Sequence, residues 1–62
     1  MYVLRTLAEG QYRYWRVDGV WVDSLEDAFN FRTAAAPNAL LPMVALESQV
    51  DPERITVVGL VR

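Results

Sequence analysis

The first third of the chain is written in short runs of aromatic and β-branched residues separated by glycine-bearing breaks. Residues 2–8, YVLRTLA, predict a strand that ends at the turn-like EGQ around Gly10. Residues 12–17, YRYWRV, predict a second strand, and VWV at 20–22 a third. Between them Asp18-Gly19 is the positive-φ pair that a two-residue type I′ hairpin turn requires. Residues 55–61, ITVVGLV, predict a last strand, apolar on both faces and therefore expected in the interior of the sheet.

The middle of the chain changes period. Ser24 stands three residues before Asp27 in the manner of a capping box, and Leu25, Ala28 and Phe29 follow at helical spacing, so a helix is expected to start near Leu25. Two layouts stay open beyond it. The helix runs through RTAAA to Pro37, or it breaks at NFRT and Thr33 or Asn38 caps a second one. Pro37 and Pro42 both sit badly inside a long helix, because each lacks a donor and crowds the preceding turn. LLPMVALESQ is read as a helix with Pro42 in its first turn, a strand beginning at Met43 being the alternative, and DPER as a turn. The fold class that follows is α+β: an antiparallel β-sheet of three N-terminal strands plus a C-terminal strand, with one or two short helices packed on one face.

Side chains alternate across strands, so the expected turns sort the residues into two faces. A two-residue turn at Asp18-Gly19 pairs Val17 with Val20, Arg16 with Trp21 and Trp15 with Val22. Trp15, Val17, Val20 and Val22 then form the floor of the core, joined by Tyr2 and Leu4 if the first strand pairs through a two-residue turn at Glu9-Gly10. The opposite face collects Tyr12, Tyr14, Arg16 and Trp21, with Arg5, Val3 and Leu7 beside them. There Arg16 would stack on the Trp21 indole. Tyr, Trp and Arg are the side chains that dominate protein interfaces, since they cover large areas while keeping a polar handle. The candidate binding residues are therefore Tyr12, Tyr14, Arg16, Trp21 and Arg5. The competing reading is that these rings and arginine stems only stabilise the sheet.

Composition narrows the chemistry. The 62 residues allow one small domain. At 53% hydrophobic residues the chain is too apolar for a disordered tail. It contains no His and no Cys, which removes the usual nucleophiles, proton shuttles and soft metal ligands, so neither an enzyme nor a cofactor nor a metal site is expected. The carboxylates Asp18, Asp23, Glu26 and Asp27 cluster near the turn and the expected helix start, where turn formation and the helix dipole account for them. A second acidic set, Glu47, Asp51 and Glu53, lies in the later loop region. A net charge of −2 makes nucleic acid an unlikely partner, although Tyr12, Tyr14 and Trp21 stacked on bases, with Arg5, Arg13 and Arg16 on phosphates, form the alternative reading. No membrane partner is expected, and the default location is the cytoplasm. All six basic residues are arginine, the signature of a GC-rich genome.

The stretch YVLR…EGQYRYW…DGVWVDSLEDAFNFRT resembles small proteins encoded by bacteriophages and prophages. In these a β-hairpin ends in a Trp, and an Asp-Leu-x-x-Ala segment, an aromatic-x-Thr step, a helix and a last strand follow. Trp21, Leu25, Ala28, Phe31 and Thr33 are the matching positions, and Pro37 and Pro42 depart from the uninterrupted helix usual there. The resemblance implies an accessory or inhibitor protein, anti-CRISPR-like, that binds one host or phage protein. A homo-oligomer built on the same aromatic face is the further possibility.

Overall fold

The computed structural model describes residues 1–61. Its strands are β1 (Tyr2–Ala8), β2 (Gln11–Trp15), β3 (Trp21–Val22) and β4 (Ile55–Gly59), and a single α-helix, α1 (Ala35–Ser48), lies between β3 and β4. All pairings are antiparallel and the order across the sheet is β3-β2-β1-β4. The α+β fold expected from the sequence is the one observed.

The β1–β2 turn forms as expected. Glu9 and Gly10 both take positive φ, 53° and 80°, and Ala8 pairs with Gln11, Leu7 with Tyr12, Thr6 with Arg13 and Arg5 with Tyr14.

The second hairpin departs from expectation by one residue. Arg16 N–H donates to the Val20 carbonyl (2.9 Å) and Gly19 N–H to the Arg16 carbonyl (2.9 Å). Of the turn residues only Gly19 has positive φ, 86°. This is a three-residue loop ending in a glycine bulge, in which Trp15 pairs with Trp21 and Tyr14 with Val22. The reason lies in Asp18. Its carboxylate takes the Arg16 guanidinium as a fork, with contacts of 2.6 to 3.1 Å, and also accepts from Val20 N–H at 3.2 Å. Those bonds hold Asp18 on the ordinary side of φ, and the loop needs one more residue than a type I′ turn. A slip of one residue exchanges the faces of everything that follows. Trp21 therefore joins Trp15 on the core side, Val22 moves to the outer face, and Val17 and Val20 are left exposed at the tip.

No helix starts at Leu25. Residues Leu25–Asp27 make one 3₁₀ turn, and Ser24 provides no side-chain cap. The chain then extends, because sheet partners are on offer: Phe29 N–H donates to the Trp15 carbonyl (3.0 Å), while Phe31 and Tyr2 exchange two bonds of 2.8 Å. The Phe31 ring stacks on Trp15 (6.1 Å, 15°), and Phe29 meets both rings edge-on. Those interactions outweigh a capping box whose apolar spacing was short.

Both prolines are accommodated in α1. Pro37 falls in the first turn, where its N–H would have no helical partner, and its ring is buried. Pro42 lies inside the helix and leaves the Asn38 carbonyl without its usual donor, but Asn38 is exposed, so that carbonyl stays in water. The helix ends at Gln49 in the left-handed region (φ 56°), and Val50 N–H returns to the Ala45 carbonyl (3.1 Å). A 3₁₀ turn at Pro52–Arg54, capped by Asp51, leads into β4.

The core lies between α1 and one face of the sheet. Leu4, Trp15, Phe31, Val44, Ala45 and Ile55 are buried there, and Tyr2, Trp21, Leu40, Leu41, Val50 and Val57 surround them. Contrary to the expectation of an interior strand, β4 is an edge. The N-terminal strand β1 holds the centre, with β4 on one side and β2 followed by Phe31 on the other. The apolar residues of β4 are explained without a second neighbour: Ile55 and Val57 face α1, and Val58 pairs with buried Val3.

Candidate functional site

The face of the sheet turned away from α1 is where the sequence placed a working surface. The observed registers put Val3, Arg5 and Leu7 of β1 there, together with Tyr12 and Tyr14 of β2, Val22 of β3, and Thr56 and Val58 of β4. An antiparallel sheet with one side open to water ordinarily alternates apolar-in and polar-out. This outer side is largely apolar and aromatic instead: Leu7 is 52% and Tyr12 49% exposed, Arg5, Tyr14, Val22 and Val58 are partly buried, and Val3 is fully buried.

Arg5 sits in the middle of it. It pairs with Tyr14 on one side and Thr56 on the other, and its guanidinium carbon lies 4.0 Å from the Tyr12 ring centroid. The register explains this reach, because Tyr12 is diagonal to Arg5, within range of a long side chain. Such stacking contributes about 0.5–1 kcal/mol at an exposed site and holds the guanidinium flat against the ring. No carboxylate among the described residues forms an ion pair with it. Arg5 therefore presents its charge and its hydrogen-bond donors outward.

Three of the expected site residues, Arg5, Tyr12 and Tyr14, come together here, and two do not join them in the role expected. Trp21 lies on the opposite face, packed beside the core with its Nε1–H donating to Ser48 Oγ of α1 at 2.9 Å. Arg16 is held in the turn by Asp18 rather than stacked on Trp21. That fork raises the pKa of Arg16 and depresses that of Asp18, the hydrogen bond between them being the main cause in each case. Val22, Thr56 and Val58 were not anticipated on this surface. For Val22 the signal was the length of the hairpin loop, and for the β4 residues it was the strand order.

The arginines are dispersed as well. Arg13 pairs with Thr6 and so points to the side opposite Tyr12 and Tyr14, where its Nε lies 3.6 Å from Asp23, beyond hydrogen-bond range. A track of cations beside the rings, which phosphate binding would need, does not form.

Comparison with protein-family models, curated proteins and solved structures returns no match to this chain. The reading of the site therefore rests on its chemistry.

A cleft of about 580 Å³ lies at the end of the sheet between the β1–β2 turn and the loop after α1, with Glu9, Gln49, Asp51 and Arg54 in its wall. Asp51 is engaged there in capping the 3₁₀ turn, accepting from Glu53 N–H at 2.9 Å. Among the described residues no group of His, Cys, Asp or Glu is arranged to hold a metal ion, and no helix is long and apolar enough to cross a membrane.

Proposed function

We propose that this chain is a non-enzymatic protein-binding module that recognises its partner through the outer sheet face centred on Arg5, Tyr12 and Tyr14. The observation that carries the reading is the apolar and aromatic character of this sheet face, exposed at Leu7 and Tyr12, where the Arg5 guanidinium lies over Tyr12 with no carboxylate among the described residues paired to it. Its residue types are those that make interface hot spots, and stacking presets the Arg5 side chain, which lowers the entropy lost on docking. The guanidinium favours a partner that offers a carboxylate or backbone carbonyls within an apolar patch. In keeping with the resemblance to small phage-encoded proteins, the role proposed is that of an accessory or inhibitor protein acting on one host protein. Single-stranded nucleic acid is the weaker alternative, since Arg13 points to the opposite side of the sheet, Arg16 is held by Asp18, and the net charge is −2.

The test is photo-crosslinking in a GC-rich bacterial lysate, with a benzophenone side chain at Tyr14 or, as control, at exposed Val17 on the hairpin tip. The expected result is one protein captured from position 14, absent from position 17, and lost when Arg5→Ala and Tyr12→Ala are combined in a chain whose far-UV CD is unchanged. Equal capture from the two positions, or capture that survives the double substitution, would overturn the proposal.

A further inference from the structure

The two edges of the sheet are built differently. The β3 edge is only two residues long and is flanked by Asp18 and Asp23, so it offers little backbone to another strand. The β4 edge is five residues long, uncharged, free of proline and without a bulge. Leu60 N–H donates to the Met1 carbonyl (2.7 Å), which fixes the direction of its neighbours: Thr56 and Val58 turn their backbone groups toward β1, and Ile55, Val57 and Gly59 turn theirs outward. The Ile55 N–H is already given to the Pro52 carbonyl. What remains open is a row formed by the Ile55 carbonyl and both backbone groups of Val57 and Gly59.

That row is complementary to itself. We propose that β4 pairs with β4 of a second copy, antiparallel about a two-fold axis at Val57. Each Val57 then exchanges both bonds with its counterpart, and each Gly59 N–H reaches the other copy's Ile55 carbonyl. The side chains fit the same register. Ile55 lies opposite Gly59, which has no side chain to obstruct the approach of a second strand. On the outer face Thr56 lies opposite Val58, and like charges meet nowhere along the strand. An isologous pair of this kind also adds burial to a chain of only 62 residues. It leaves Arg5 and Tyr12 uncovered and joins the two outer faces into one surface, so it stands or falls separately from the partner-binding reading.

Sedimentation equilibrium from low micromolar to near-millimolar concentration tests it. The wild-type chain is expected to pass from monomer to dimer. Chemical synthesis with an N-methyl group on Val57, whose N–H has no partner among the described residues, is expected to weaken the dimer by about tenfold or more with unchanged CD. Thr56→Lys with Val58→Lys sets like charges opposite one another and should give a monomer, whereas Thr56→Glu with Val58→Lys sets opposite charges across the axis and should restore the dimer. A folded monomer at every concentration would overturn the proposal, as would a dimer indifferent to N-methylation or loss of the fold on N-methylation. Strand exchange with an added peptide of β4 sequence, without a dimer of the whole chain, would also overturn it and assign the edge to a foreign strand.

Discussion

Substituting Trp21 separates the observed hairpin from the shorter one. Trp21 is partly buried beside the core and donates to Ser48 Oγ. A buried aromatic side chain covers about 150–250 Å². Allowing for the exposed portion and for the Cβ that alanine keeps, Trp21→Ala returns about 100 Å² of apolar surface to water, about 2.5 kcal/mol at 25 cal/mol per Å². Loss of the indole hydrogen bond adds about 1 kcal/mol. A chain of this length has a total stability of roughly 3–9 kcal/mol at 0.05–0.15 kcal/mol per residue. A loss of about 3.5 kcal/mol therefore brings Trp21→Ala near the limit of folding. Urea denaturation followed by Trp15 fluorescence measures it. By contrast Tyr12→Ala, on the outer face, is expected to cost less than about 1 kcal/mol, little beyond its stacking with Arg5. Because Trp21→Ala is expected to leave little folded protein to quantify, Trp21→Phe and Ser48→Ala complete the test. Each is expected to cost about 1 kcal/mol, and together no more than either alone, since both remove the same bond. Equal costs for Trp21→Ala and Tyr12→Ala, or strict additivity of the milder pair, would refute the bulged loop and return Trp21 to the outer face.

Two further outcomes follow from the same turn. Gly19→Ala should destabilise the protein by about 1 kcal/mol through backbone strain alone, because φ is 86° and nothing lies within 4 Å of the added Cβ; D-alanine at that position, read by the same denaturation, should not. The Asp18 carboxyl should titrate below the ordinary aspartate range by ¹³C NMR, because the Arg16 hydrogen bond favours its charged form. Its folded pKa is the lower one, so its contribution is complete above the unfolded value and is lost as pH falls through the folded value; Asp18→Asn should remove that acid-side loss, and high salt should shrink it.

Most of the architecture was legible because it depends on local signals. Glu9-Gly10 encoded a two-residue turn, that turn set the β1–β2 register, and the register brought Arg5, Tyr12 and Tyr14 to one side. Other features depend on competition that no local pattern contains. Asp-Gly serves a two-residue or a three-residue hairpin equally well, and the choice fell to the fork between Arg16 and Asp18, a tertiary detail of side-chain reach. The segment after Ser24 looked helical until Trp15 and Tyr2 offered it backbone partners. An apolar strand such as ITVVG reads as interior, and nothing within those five residues states that one neighbour is missing.

The bond between Leu60 and Met1 also bears on how the chain folds as it leaves the ribosome. Of the four strands the central one, β1, is synthesised first, and one of its two neighbours, β4, last. The β1–β2 hairpin can form early from contacts close in sequence, but β1 keeps one side open until residues 55–60 emerge. Closing a loop of about 50 residues then costs on the order of 3.5 kcal/mol in chain entropy before the packing of Ile55 and Val57 offsets it. The sheet is thus completed only once β4 has been made, and until then the central strand lacks its second neighbour.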